Sequence, residues 1–215
     1  MKDILLAIDC SLRYTGIAVA AEINKELKIL SELNADIGLK QAVELPRLAE
    51  NIIKDSGINI KEITHVAVTN GPGYFTGVRI GMSWSAAFAF GIGANIVPVG
   101  TLEALMCSND DNPSIYLVYA GKNSVYAISS GFSTNLTVRE YDSDHIAEWA
   151  SVHKDINFRV YVDNAEKIKI PSFRNLQKIV PKVSNVAKIG WNKRINCSIS
   201  PCELRANWCR NPVCV

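Results

Sequence analysis

The chain opens on an unbroken apolar run, Ile4 to Ile8, closed by Asp9. A run of this kind predicts a strand buried on both faces, here Asp3 to Asp9. Cys10 to Tyr14 has the composition of a turn, and Thr15 to Ala21 returns as its hairpin partner. Leu27 to Leu33 reads as a third strand. From Leu39 to Asp55 the period becomes helical, with Leu45, Leu48, Ala49 and Ile52 on one face and Gln41, Glu44 and Lys54 on polar positions. Pro46 predicts a kink or a place near the first turn, and Gly57 a stop. Thr64 to Thr69 is the next buried strand. A tight loop from Gly71 to Gly77 leads into a helix that runs to Gly91, then a short strand, Ile96 to Val99, and a helix starting at Thr101. The order is βββαβα.

The same order recurs. Ser114 to Ala120 and Val125 to Ser130 form a hairpin, Leu136 to Tyr141 a third strand, Asp144 to Val152 a helix and Arg159 to Asp163 a strand, with a final helix over Ser184 to Trp191. The loop-like SNDDNP, Ser108 to Pro113, separates two domains, 1–107 and 108–215, the second smaller and more divergent. No sequence repeat accompanies this recurrence of topology. It predicts an α/β protein of the actin-like ATPase (ribonuclease H-like) class, built of two βββαβα halves. In that class nucleotide lies in the cleft between the halves.

Composition narrows the field without deciding it. At 215 residues, 48% hydrophobic and 20% charged, the chain suits a globular protein and not a disordered one. No run of about 18 apolar residues occurs, so no membrane span is expected. Asp3 and the short apolar run make the opening a poor leader peptide, and a cytoplasmic protein with reduced thiols is expected. The last four of the six cysteines, at 197, 202, 209 and 214, are spaced C-x4-C-x6-C-x4-C, and the middle gap is short for a zinc module. His65, His145 and His153 form no short metal-binding pair and read as surface or strand-end residues. From Ala165 to Val215 there are ten Lys or Arg against two acids, a basic third that reads as an RNA-contacting surface or as a solvated face.

Asp9 and Ser11, at the end of the first strand, are candidates for a nucleotide or phosphate contact. A bare turn role for Asp9 is the alternative. The matching point in the second half carries Tyr119, which cannot hold magnesium as a carboxylate can. GPGYFTGVRIG, Gly71 to Gly81, adds Gly71, Gly73 and Thr76, with Thr76 expected to cap the following helix. This loop reads equally as a phosphate cradle at a helix N-terminus or as a structural turn, and it lacks the Gly-Lys-Ser/Thr ending of a Walker loop. The helix behind it carries Val78, Ile80, Met82, Trp84, Ala86, Ala87, Phe88, Ala89 and Phe90, and has hardly a polar face. Such a helix must be covered on every side, by the Leu39–Asp55 helix or by another protein.

AIDCS near the start, GPGYFTGVRIG, FGIGANIVPVGTLEAL and the terminal P-x-x-LR, Pro201 to Arg205, resemble the TsaB (YeaZ) family. The likeness is specific over residues 3–105 and weak thereafter. It implies a non-catalytic paralogue of TsaD, working in the formation of threonylcarbamoyladenosine in tRNA. The transfer goes to N6 of the adenosine next to the anticodon in tRNAs reading codons that begin with A. The resemblance further implies pairing with a TsaD-like protein through first-domain helices, a TsaE-like ATPase in the complex, tRNA contact through the complex, and a homodimer when alone. Leu45, Leu48, Ile52, Met82, Trp84 and Phe88 become the candidate partner face. No metal or intrinsic cofactor is expected, and ATP or ADP would belong to the interface with the partner. A stand-alone actin-like kinase or acyltransferase is the alternative. The chain departs from the family at Lys40-Gln41-Ala42, where a histidine is common, and at Tyr119-Ala120-Gly121, in place of Asp-Ala-Arg.

Overall fold

A computed structural model describes residues 3–107, 112–121, 123–164, 166–168, 170, 173 and 176–207. The chain divides into two compact units, residues 3–104 with 181–207 and residues 105–180. Each carries one five-stranded sheet, so the α/β class and the recurrence of topology hold.

In the first unit β1 (Ile4–Asp9), β2 (Thr15–Ile23) and β3 (Glu26–Ala35) form an antiparallel meander. β4 (His65–Thr69) and β5 (Asn95–Val99) add in parallel on the other side of β1, giving the order β3-β2-β1-β4-β5. Helices α1 (Gln41–Asp55) and α2 (Phe75–Ile92) are the crossovers that parallel pairing demands. α1 begins two residues later than expected, behind a 3-10 turn, Gly38–Lys40, and Pro46 lies inside it on the solvent side. The carbonyl that Pro46 cannot serve belongs to exposed Ala42, so water can satisfy it.

The two faces of this sheet differ in size because successive side chains on a strand point oppositely. Ile17 and Val19 of β2 share one face with Leu6 and Ile8 of β1. The other face is small at its centre, Ala7, Ala18, Ala20 and Ala67, with Leu5, Val97 and Val99 about them. Onto this alanine face packs α5 (Val183–Cys197), through Val183, Val186, Ala187 and Trp191. Gly190 lies so close to Ala67 that a Cβ there would collide with its methyl. The helix expected to complete the second domain thus belongs to the first unit, which corrects the 108–215 assignment. The unit boundary falls within α3 (Thr101–Met106), ahead of the SNDDNP segment.

In the second unit β6 (Ser114–Gly121), β7 (Ser124–Ser130) and β8 (Arg139–Asp142) repeat the meander, and β9 (Arg159–Val162) and β10 (Leu176–Lys178) repeat the parallel extension. The order β10-β9-β6-β7-β8 is the first sheet's order over again. The third strand starts at Arg139 where Leu136 was expected, because Leu136 is held outside the ladder, its amide donating to Ser129 Oγ at 2.7 Å. β10, three residues long with Leu176 its one apolar member, had no apolar run to announce it. Helix α4 (Ser143–Val152) buries Ile146, Trp149 and Ala150 against Ile115, Leu117, Val125, Ala127, Val160 and Val162. His153, expected at the surface, is buried instead. Its ring lies 4.4 Å from that of Trp149 and its Nδ1 is 2.8 Å from the Trp149 carbonyl oxygen. Among the described residues no helix is long and apolar enough to cross a membrane.

Candidate functional site

The β1–β2 turn, the glycine-rich loop and the start of α1 meet in the first unit. Asp9 ends β1 with 3% of its surface exposed, and Ser11 has none. One carboxylate oxygen, Asp9 Oδ1, accepts three hydrogen bonds: from the Ser11 amide at 2.9 Å, Ser11 Oγ at 2.7 Å and Thr69 Oγ1 at 2.8 Å. The carboxylate therefore ties the end of β1 to its own turn and to the end of β4. Cys10, between them, is fully buried, and desolvation together with the charge of Asp9 pushes its thiol up to about 12. It stays a neutral apolar group at physiological pH.

The glycines of Gly71–Gly81 lie against this turn. A Cβ at Gly73 would run into the Ser11 carbonyl oxygen, and one at Gly77 into the Cys10 carbonyl oxygen. The loop is thus pressed onto the turn, with the Tyr74 amide donating to Ser11 O at 2.7 Å. Gln41, the first residue of α1 and 7% exposed, closes the arrangement by donating through Nε2 to Leu12 O at 3.2 Å. Of the residues proposed for phosphate, Asp9, Ser11 and Gly71 are buried, Gly73 is half-buried and Thr76 is exposed. Thr76 does not cap α2; Tyr74 holds that position, without a side-chain bond. The structural-turn alternative accounts for every one of the close approaches. Thr69 was not singled out in the sequence and Gln41 was read only as a polar helix position, since a lone polar residue at a helix start or strand end carries no signal of its partner.

The candidate partner face splits. Leu45 is fully buried, and Ile52 and Met82 are 8% and 9% exposed. These three belong to the core of the unit and cannot meet a partner. Leu48, Trp84 and Phe88 are half-buried. Trp84 and Phe88, one helical turn apart, stack with centroids 4.9 Å apart. Near these helices the large apolar groups that do reach solvent are others: Leu39 at 103% exposure, Val43 at 77%, Phe75 at 58% and Phe90 at 74%; elsewhere Val152 and Ile195 are as exposed, and Ile60, Ile156 and Val180 less so. Leu39 lies in the turn before α1, Val43 off its apolar stripe and Phe75 at the first position of α2, while Phe90 was one of many apolar positions on a helix with hardly a polar face.

The second unit has its own tie between first and fourth strands. Here the acid sits on the other strand: Asp163, following β9, accepts the Tyr119 amide at 3.0 Å. Tyr119 lines a pocket of about 260 Å³ with Gly121, Asn123, Ser143 and Lys167. The Lys167 ammonium stands 5.1 Å from the centroid of its ring. Among the described residues no group of three or more His, Cys, Asp or Glu comes together as metal ligands would. Two residues of the basic C-terminal third are engaged inside the first unit, while Lys178, Lys182 and Lys188 are exposed. Lys193 pairs with Glu103 at 2.6 Å, and Arg194 pairs with Asp3 at 2.8 Å while stacking 3.6 Å from the Trp191 ring centroid.

Comparison with known proteins follows the same lines. The family model TsaD, described as tRNA N6-adenosine threonylcarbamoyltransferase, matches residues 40–186, more than half of the chain. The tRNA threonylcarbamoyladenosine biosynthesis protein TsaB of Buchnera aphidicola subsp. Schizaphis graminum is 27% identical over 105 residues, 49% of this chain and 48% of that protein. The chain thus spans about half the length of this relative. TsaB of Buchnera aphidicola subsp. Acyrthosiphon pisum is 24% identical over 83% of this chain and 82% of that protein. A crystal structure from Pseudomonas aeruginosa, described as an uncharacterized protein with similarity to peptidase YEAZ, shares the fold. It superposes with a TM-score of 0.78 at 15% identity, over 97% of this chain and all of the other. This chain therefore belongs to the TsaD family, and within it to the TsaB (YeaZ) proteins.

Proposed function

We propose that this chain is an accessory subunit in tRNA threonylcarbamoyladenosine biosynthesis, which binds a TsaD-type paralogue and performs no chemistry alone. The observation that carries the reading is a set of exposed apolar groups about α1 and α2: Leu39 in the turn before α1, Val43 on α1, and Phe75 and Phe90 at the two ends of α2. Single exposed apolar groups are ordinary; several large ones about two neighbouring helices are what an association surface would use. The half-buried Leu48, Trp84 and Phe88 would complete the contact. On this reading the partner transfers threonylcarbamoyl to N6 of the adenosine beside the anticodon, and a TsaE-type ATPase and tRNA join through the complex. The same surface would serve a homodimer when the partner is absent.

The enclosure of Asp9 supports an accessory role over a stand-alone kinase or acyltransferase. A carboxylate with three bonds inside its own unit is poorly placed to hold a metal–nucleotide complex. ATP or ADP, where the complex holds one, would then lie between the two proteins.

The test is co-purification with the TsaD-type protein of the same genome, read by light scattering. The wild-type chain should form a complex, and the double variant Phe75→Asp, Phe90→Asp should remain a folded, unpaired chain with an unchanged melting temperature. Retention of the complex by that variant would place the interface elsewhere. ATP turnover by the chain alone, abolished in Asp9→Asn, would favour the enzyme instead.

A further inference from the structure

From the end of α5 the chain runs back along the first unit as a strap, residues 198–207. Ile199 joins the outer strand β5 by two backbone bonds, Ile96 N to Ile199 O at 2.9 Å and Ile199 N to Ile96 O at 2.8 Å. A 3-10 turn, Pro201–Glu203, follows, with Glu203 Oε2 accepting the Ser200 amide at 2.9 Å. Leu204 is buried. The strap then reaches the loop between β4 and α2. The Asn207 amide donates to Asn70 O at 2.7 Å, and Asn70 Nδ2 donates to Arg205 O at 3.2 Å. Gly71 lies beneath with φ of +103°, and a Cβ there would stand 2.6 Å from the Asn207 carbonyl oxygen. The same loop is tied from its other side by Asn70 N to Val99 O and Thr101 N to Gly71 O, both 3.0 Å, and ends where Tyr74 N meets Ser11 O.

We infer that the strap 198–207 is a latch that fixes the Asn70–Tyr74 loop and, through it, the first turn of α2 that carries exposed Phe75. A loop with two glycines gains much freedom if one of its two walls is removed. The strap is one wall, and the sheet end the other. If the strap only covered the edge of β5, a bond to Ile96 would serve and nothing would need to continue to Asn70. The close fit of Asn207 over Gly71, at a backbone angle suited to glycine, shows that loop and strap are shaped to each other. Any effect on partner binding rests on the function proposed above, whereas the latch does not.

The test uses Asn207→Pro, which removes the donated amide, beside Asn207→Ala, which keeps it. The side chain of Asn207 is exposed, so neither change opens the core. Amide exchange in the full chain is followed by NMR at Asn70, Tyr74 and Thr101, with Ala67 of β4 as reference. Losing one net hydrogen bond predicts exchange about fivefold faster at the first three in Asn207→Pro. Ala67 should be unaffected, and Asn207→Ala, which keeps the amide, should accelerate the three less than Asn207→Pro does. Acceleration confined to 199–207, equal behaviour of the two variants, or acceleration that includes Ala67 would each overturn the latch. The measurement uses the chain alone, so failure to find a partner leaves it intact, and its failure leaves the partner question open.

Discussion

Two glycines in the same helix should respond to alanine with opposite sign. Gly77 and Gly91 both lie within α2, Phe75–Ile92. On propensity alone either substitution stabilises a helix by about 1 kcal/mol. At Gly91 a Cβ meets nothing within 4 Å, so the gain should be realised, reduced somewhat near the helix end. At Gly77 the new carbon would enter the Cys10 carbonyl oxygen and lie 3.0 Å from Gln41 Oε1. That carbonyl cannot swing aside, because the flanking turn is fixed by the bonds of Asp9 and Ser11. Overpacking of this kind costs about 1–3 kcal/mol, and here the obstacle is backbone, so the upper part of the range applies. The net expectation is a loss of about 2 kcal/mol for Gly77→Ala, against a gain of about 0.5–1 kcal/mol for Gly91→Ala. With a urea slope of about 2 kcal/mol per molar, the first should lower the unfolding midpoint by about 1 M and the second raise it slightly. Circular dichroism in urea reads both. A midpoint for Gly77→Ala at or above wild type would refute the account of the glycine-rich loop as a close-packing device.

Asp9→Asn should lower stability by about 2–3 kcal/mol, read as a drop in melting temperature, because an amide replaces a carboxylate that accepts three bonds; a neutral or stabilising effect would mark Asp9 as a ligand-binding group held at a cost. Cys10 should resist thiol reagents at pH 8 in the folded chain while exposed Cys107, Cys197 and Cys202 react, as peptide mass spectrometry would show. Its thiol is raised from 9.0 to about 12, so the unfolded chain loses the proton first and stability should fall between those two values as pH rises; Cys10→Ala should remove that slope. Burial holds His65 below its ordinary value despite Asp3, with Arg194 adding to the lowering. Its neutral form is therefore favoured by folding, and stability should decline as pH falls below about 6.5, a dependence that His65→Gln should flatten.

Most strands and helices of the first unit were legible in the sequence because they bury a face whose period shows directly, as in Ile4–Ile8 and Leu45–Ile52; β3, half-buried at most, is the exception. The recurrence of the meander was legible for the same reason. So was the glycine-rich loop, though only as a place where backbone comes close to something. What it comes close to, the carbonyls of Cys10 and Ser11, lies more than sixty positions earlier in the chain, and no local pattern encodes that distance. The same holds for the Asp9–Thr69 bond, and for the second unit, where the acid serving the tie is Asp163 and not the residue aligned with Asp9.

Sequence by itself determined which faces must be covered. The alternation of Gly16, Ala18 and Ala20 with Ile17 and Val19 already makes β2 small on one side and large on the other. Only the tertiary structure decided what covers each. The small side receives α5, from more than 160 residues away, and Gly190, with no Cβ, lets that helix come close against Ala67. It also decided which apolar residues are left over: Leu45, Ile52 and Met82 turn inward, while Leu39, Val43, Phe75 and Phe90 stay exposed. Period fixes the direction of a side chain relative to its own element, and only packing fixes where that element faces.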